Sequence, residues 1–421
     1  MKILLVLARF DRHKWDSLTD QAWNIARLLT ASGDVQCVIA AGRSEEESAL
    51  EVVQNVSIRR FSPQRTKWKF WQKRRKTDPR TRDAYLPSLE IFLRKNRFDL
   101  VHVMTPGRIC DMVAEIAAER NIPCLVTCRS SEFMPFDAAG AQSRYPVVPP
   151  VFHKMFSEYA AALRKVDRIF CTDNRLRRAL AGVLGDRQLV YWQAGVDWEY
   201  FAKPSAVDFR KEYQLPANCM LLLSVGRLSD DKNQKILLEI ISLLKRRGWN
   251  CKLLIIGAAD DGEYQQQFEN YICEHKLNNL VKVIPGLPPG DERFKAAFQA
   301  SSLVLLPARY EVSAAAVLEA WAAGVPVVAA PAGSGGELIS DKVNGRLVPV
   351  RDFHEWVSCC EELLDERNRS ALEKMRSTAR SEAKKYRWSE RLRELSAIYE
   401  EVISLKKCNN NNQHNKQEYS L

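Results

Sequence analysis

Met220-Leu221-Leu222-Leu223-Ser224-Val225-Gly226-Arg227-Leu228 is an apolar run that breaks at a glycine and then presents a cation. A near-continuous apolar run of this length reads as a strand buried on both faces, the pattern of parallel sheets. A helical apolar period follows over residues 233–247. Strand and helix then alternate: strands at 252–256, 281–284, 303–306, 325–329 and 346–349, with helices ending near His275, over 293–300 and over 314–323. The same alternation precedes it. Strands are expected at 2–8, 35–40, 99–104, 123–128 and 167–172, and helices at 21–29 and 86–93. Alternation of this kind specifies an α/β class with mainly parallel sheets. The expectation is two Rossmann-like doubly wound domains facing a cleft, joined near 198–215, where Pro204 lies and apolar residues thin out.

The chain has 421 residues, 46% apolar and 27% charged, which suits a soluble globular protein and excludes collagen-like, coiled-coil and wholly disordered chains. At about 150 residues per domain the length also favours more than one domain. No stretch reads as a membrane span, and the N-terminal apolar run looks like a first strand rather than a signal peptide. Eleven scattered cysteines, an odd number without metal or redox spacing, are expected to be reduced and structural, in a cytoplasmic setting. The six histidines are equally dispersed, and no metal site is expected. Among them, His13 falls in the loop after the first strand, and His102 suits a core or a cleft role equally.

Net charge is +11, but residues 59–82 carry eleven Lys/Arg against one acid, so the rest of the chain is nearly neutral. Within that segment Lys67, Trp68, Lys69, Trp71, Lys73, Arg74, Arg75 and Lys76 mix cations with aromatics. That composition suits an anionic membrane surface, a nucleic acid, or a solvated loop whose tryptophans pack on their own domain.

Two further segments carry chemistry. Pro307-Ala308-Arg309-Tyr310-Glu311-Val312-Ser313-Ala314-Ala315-Ala316 leads from a strand into a helix. Ser313 fits the N-cap, and the amides of Ala314, Ala315 and Ala316 would then face outward at the positive end of the helix, a phosphate site. Arg227 and Lys232 are two cations at a strand end, able to neutralise a diphosphate or simply to sit in solvent.

Val225-Gly226-Arg227-Leu228, Lys232-Asn233, Glu311-x7-Glu319-Ala320 and Gly324-Val325-Pro326-Val327-Val328 together resemble the family-4 retaining glycosyltransferases of the GT-B fold. Further resemblance lies in Phe98-Asp99-Leu100-Val101-His102-Val103, Gly195-Val196-Asp197, Asn344-Gly345-Arg346-Leu347-Val348 and Tyr386-Arg387-Trp388. It implies an acceptor-side domain over 1–200, a nucleotide-sugar domain over 201–385, a helix over 386–405 crossing back to the first domain, and a disordered tail over 406–421. It further implies that Arg227 and Lys232 hold the donor's diphosphate, that Glu311 bonds hydroxyls of the transferred sugar and that Glu319 bonds the ribose. The amides of Ala314 to Ala316 would touch the distal phosphate. No cofactor or metal is implied, and the chain holds no Asp-x-Asp.

The acceptor side departs from the family pattern. Asp16-Ser17 stands where a glycine pair is usual, and Arg129 stands where a histidine is frequent. Ser313-Ala314 replaces a bulky apolar residue followed by glycine. His13, Asp16 and Arg129 are therefore the acceptor-side candidates, Arg129 suiting either an anionic acceptor or a buried ion pair. The resulting expectation is a metal-independent transferase that acts on a lipid-linked or cell-envelope glycan and is peripheral on the inner face of the membrane. The alternatives are a basic nucleic-acid-binding protein and a GT-B scaffold without activity.

Overall fold

The computed structural model describes residues 1–11, 17–44, 46–64, 84–133, 162–259, 262–287, 290–310 and 313–418. The N-terminal sheet contains β1 (Lys2–Arg9), β2 (Gln36–Gly42), β3 (Leu50–Val53), β4 (Val56–Phe61), β5 (Leu100–Val103), β6 (Cys124–Cys128), β7 (Arg168–Cys171) and β8 (Leu189–Tyr191). Its order is β3-β4-β2-β1-β5-β6-β7-β8, parallel throughout except for the β3–β4 hairpin at one edge. Helices α1 (Ser17–Ala31), α2 (Pro87–Lys95), α3 (Arg108–Glu119), α4 (Ser130–Phe133) and α5 (Asn174–Leu184) lie between these strands.

The second sheet has β9 (Met220–Val225), β10 (Cys251–Ile256), β11 (Val281–Ile284), β12 (Leu303–Leu306), β13 (Val327–Ala329) and β14 (Arg346–Leu347), in the order β11-β10-β9-β12-β13-β14. Its helices are α6 (Trp198–Ala202), α7 (Phe209–Glu212), α8 (Lys235–Arg246), α9 (Gly262–Glu274), α10 (Glu292–Ala300), α11 (Ala314–Ala322), α12 (Gly333–Leu338), α13 (Phe353–Leu364) and α14 (Arg369–Lys385). The last helix is α15 (Trp388–Glu418). Both sheets are doubly wound, as expected, and each reverses its winding once: between β1 and β5, and between β9 and β12.

Apolar sequence explains the layers. Ile3 to Leu7 of β1 are all fully buried, with alternate residues entering the cores on opposite faces of the sheet. The hairpin β3–β4 and the strand β8 escape a reading based on apolar runs, because they are short and carry charge or only three residues. Residues 198–215, the expected join, pack on the second domain: Phe201 of α6 and Phe209 of α7 are buried in its core.

The chain passes between its domains at neighbouring points. Val196 N donates to Tyr386 O at 2.9 Å, and Trp388 N donates to Val196 O at 3.2 Å. Gly195 allows this approach, since a Cβ there would lie 2.7 Å from the Trp388 ring. Beyond the crossing, α15 buries Leu395, Tyr399 and Val402 in the first domain's core. The tail expected from Lys406 is instead helical through Glu418, because the helix continues past its last buried turn. No helix among the described residues is long and apolar enough to cross a membrane.

A clasp joins the domains further out. Glu337 of α12 accepts from Asn174 N at 2.8 Å and Arg175 N at 3.2 Å, while Asp173 accepts from Leu176 N at 2.8 Å. The free amides at the start of α5 are thus satisfied partly from the opposite domain. Gln193 adds a bridge, its Nε2 donating to Thr172 O and Ser334 O, both at 3.2 Å.

All eleven cysteines are free thiols, and nine are buried; Cys273 and Cys408 are exposed, so the structural role expected of all of them does not extend to these two. His102 belongs to the core rather than the cleft. Its ring bonds Tyr399 Oη at 2.7 Å and Thr127 Oγ1 at 2.8 Å, tying α15 to β5 and β6. Burial drives its pKa down to about 3. An unfolded histidine titrates near 6.5, so below that value the unfolded chain takes the proton that the buried ring refuses. Stability is expected to fall as the pH drops from about 6.5 toward about 3. In urea unfolding, the stability gap between wild type and His102→Gln should narrow by up to about 1.4 kcal/mol per pH unit in that window. A gap that stays constant would show that the ring protonates in the folded state.

Candidate functional site

The ends of β9 and β12 flank the point where the second sheet reverses its winding, and the candidate residues gather there. β9 ends at Val225, and Gly226 turns the chain with φ +133°. The next residues continue alongside β10: Gly226 N donates to Ile256 O at 3.0 Å and Leu228 N to Ala258 O at 2.9 Å. Gly257 makes this possible, because a Cβ on it would stand 1.9 Å from Gly226 O. Gln234, 1% exposed, staples the loop from beneath. Its Nε2 donates to Arg227 O at 2.7 Å. Arg227 is thereby held by its backbone, with its side chain 44% exposed and 3.9 Å from Asp231.

Lys232 closes a short 3-10 turn, Asp230–Lys232, and Asn233 follows in the left-handed region at φ +57°. Asn233 Nδ2 donates to Pro307 O at 3.2 Å, locking the loop after β9 to the loop after β12. Arg309 completes the contact, donating to Asn233 Oδ1 at 3.2 Å through its Nη2 and pairing with Asp230 at 3.5 Å. The sequence singles out Arg227 and Lys232 and includes Asn233 and Arg309 in its motifs without giving them a role. Gln234, an uncharged amide just ahead of α8, carries no signal of its own.

Ser313 occupies the N-cap of α11, but its side chain makes no capping hydrogen bond. Ala314, Ala315 and Ala316 form the first turn, and no acceptor among the described residues takes their amides. The start of α11 is therefore a cluster of free donors at the positive end of a helix dipole. On the second turn Glu319 is half-buried and makes no side-chain hydrogen bond or ion pair among the described residues. Desolvation, and then Asp20 on α1 of the opposite domain, push its pKa well above the ordinary carboxylate value.

Across from this face lie the carboxyl ends of the N-terminal sheet. Arg129 pairs with Glu132 at 2.9 Å, and Glu132, 5% exposed, also accepts from Thr105 Oγ1 at 2.9 Å. Of the two roles open to Arg129, the structure displays the ion pair. Glu311, His13 and Asp16 lie outside the described residues, as do Lys67, Trp68, Lys69, Trp71, Lys73, Arg74, Arg75 and Lys76. The site thus joins a cationic loop, a helix N-terminus and an unpaired carboxyl, a combination suited to a phosphate linked to a hydroxylated group.

Comparisons with known proteins agree with this geometry. Residues 20–200 match the family model described as Glycosyltransferase Family 4, and residues 207–385 match Glycosyl transferases group 1. A D-inositol 3-phosphate glycosyltransferase of Corynebacterium kroppenstedtii is 26% identical over 246 residues, which are 52% of this chain and 54% of that one. A GDP-mannose-dependent alpha-mannosyltransferase of Corynebacterium glutamicum is 26% identical over 332 residues, 76% of this chain and 71% of its own. The match spans about half the length of the first relatives, 54% and 49%. Among solved structures, sucrose-phosphate synthase from Thermosynechococcus elongatus superposes with a TM-score of 0.74 at 16% identity, covering 96% of this chain and 99% of that one. Anabaena HepE in complex with UDP-glucose gives 0.70 at 17% identity, covering 95% and 100%.

The loop staple is testable. Gly257→Ala forces the Gly226–Arg227 backbone to move, and is expected to cost about 1–3 kcal/mol of stability in urea unfolding. Gly182→Ala, with nothing within 4 Å of the new Cβ, should not destabilise the chain. Equal stability in both variants would show that the close approach at Gly257 does not hold the loop.

Proposed function

Because the chain belongs to the family-4 glycosyltransferases of the GT-B fold, we propose that it is a retaining transferase. It moves a sugar from a nucleotide diphosphate sugar to a lipid-linked or cell-envelope glycan. One observation carries the reading: Arg227, Lys232 and the free amides of Ala314 to Ala316 converge where the second sheet reverses its winding. Negative charge grows on the diphosphate as the anomeric carbon–oxygen bond breaks. Fixed cations and oriented amides stabilise it without reorganising. Arg227 and Lys232 do the neutralising that a metal does in other transferases.

Glu319 takes the ribose hydroxyls and Glu311 the hydroxyls of the transferred sugar. The acceptor hydroxyl approaches from the N-terminal domain, where Arg129 lies and to which His13 and Asp16 belong in sequence. Its oxygen bonds the anomeric carbon on the face that the diphosphate leaves, and its proton passes to the departing phosphate oxygen. Configuration is thereby retained.

The basic segment extends the reading to a membrane. Gln64 and Tyr85, the described residues on either side of 65–83, pair in an isolated bridge beyond the carboxyl end of β4. The Lys, Arg and Trp of the intervening sequence suit an anionic bilayer carrying the acceptor, each cation near such a surface contributing about 1 kcal/mol. Neutralising Lys67, Lys69, Lys73, Arg74, Arg75 and Lys76 is expected to reduce sedimentation with anionic vesicles and to leave nucleotide binding intact; undiminished sedimentation would remove the segment as the anchor.

Arg227→Ala is expected to lower transfer by about a hundredfold or more, as loss of a charge-stabilising group does. Near-normal transfer would overturn the donor assignment. The pH dependence tests Glu319 separately. Ribose hydroxyls donate to the ionised carboxyl, so nucleoside diphosphate affinity should rise with pH through its raised pKa. That rise should vanish in Glu319→Gln.

A further inference from the structure

The far end of the first domain holds a second concentration of positive charge that the transfer chemistry does not use. A cavity of about 380 Å³ opens at the amino ends of β5 and β6, opposite the cleft, between the ends of α2 and α3 and the late turns of α15. Arg97, Arg120, Lys406 and Lys407 line it, with Asp99 as the acid of the lining. Its volume falls in the range of small-molecule sites.

Two of these cations are held in place. Arg120 Nη1 donates to Asn96 O at 2.6 Å and to Leu93 O, which leaves its other N–H groups uncommitted among the described residues. Lys406 pairs with Asp167 at 2.8 Å. The other two, Arg97 and Lys407, are exposed and have no hydrogen bond or ion pair among the described residues. Asp99 meanwhile accepts from Lys2 N at 2.6 Å. Like charges brought together in this way repel unless an anion sits between them.

A second, independent observation lies in the same wall. Asn121 takes the left-handed conformation at φ +54°, and its Nδ2 is buried without any hydrogen-bond partner. A buried amide left without an acceptor is destabilising. The guanidinium forks of Arg97 and Arg120 and the ammonium of Lys407 all match a compact acceptor with several oxygens.

We propose that this cavity binds a phosphoryl group of a small anion or a lipid headgroup, at a site separate from the donor cleft. Arg97, Arg120 and Lys407 supply the charge that the phosphoryl oxygens take, and Asn121 stands in the wall beside them. Because Lys406 and Lys407 belong to α15, the bound phosphate also ties that helix to α2 and α3.

The test uses the full chain in an Arg227→Ala background, where the cleft's own phosphate site is weakened. Pyrophosphate is titrated calorimetrically into this protein and into the same protein carrying Arg97→Ala and Lys407→Ala. Binding should weaken by about tenfold or more as two charge-assisted contacts are lost. A control carrying Lys245→Ala and Arg246→Ala at the end of α8 should bind as before. Asn121→Asp keeps the left-handed backbone and sets a negative charge against the phosphate, so it should also weaken binding.

Vesicles of phosphatidylglycerol form the second arm. Loss of pyrophosphate binding identifies a free phosphate ligand, and loss of vesicle partition alone identifies a headgroup. Pocket variants that match the Lys245/Arg246 control in both arms would overturn the proposal.

Discussion

Two backbone hydrogen bonds, Val196 N to Tyr386 O and Trp388 N to Val196 O, hold together the points at which the described chain leaves one domain and returns to it. Everything on either side depends on that pairing. It sends α15 back across the first sheet, where Tyr399 and Leu395 fill a core that the first two hundred residues leave open. It also places the carboxyl ends of both sheets toward each other, so that loops from each can line one cleft. Gly195 is the local requirement, since any side chain there would strike Trp388.

The clasp at Glu337 works at the other end of the same interface. A carboxylate from one domain satisfies the amides that begin a helix of the other. Such contacts are directional and wet at the rim, unlike the apolar packing of α15. The domains are therefore joined firmly along α15 and more reversibly along α12, an asymmetry suited to a cleft that admits and releases a large ligand.

Much of the architecture was legible in the sequence because parallel strands buried on both faces must be nearly all apolar. β1, β9 and β12 announce themselves in this way. β3 and β4 do not, because an edge hairpin has one wet face, and Arg59 and Arg60 within it look like the start of the charged segment. The site followed the same division. Arg227 and the alanine helix start carried motifs, whereas Gln234 acts through the backbone carbonyl of Arg227 and Asn233 through that of Pro307, far away in sequence. The helical continuation of α15 past Leu405 was likewise hidden, since Asn409 to Asn412 carry no helical preference.

Composition and periodicity by themselves determined two wound domains, a near-neutral body with one basic segment, and a strand end furnished with cations. Tertiary structure decided which groups meet: Asn233 with Pro307, Arg129 with Glu132, and Arg97 with Lys407 around one cavity. The physical reason is range. Burial is a property that each residue largely carries with it, so its pattern is written locally. Charge and hydrogen bonding act between pairs, and the partners become neighbours only after the sheets have formed.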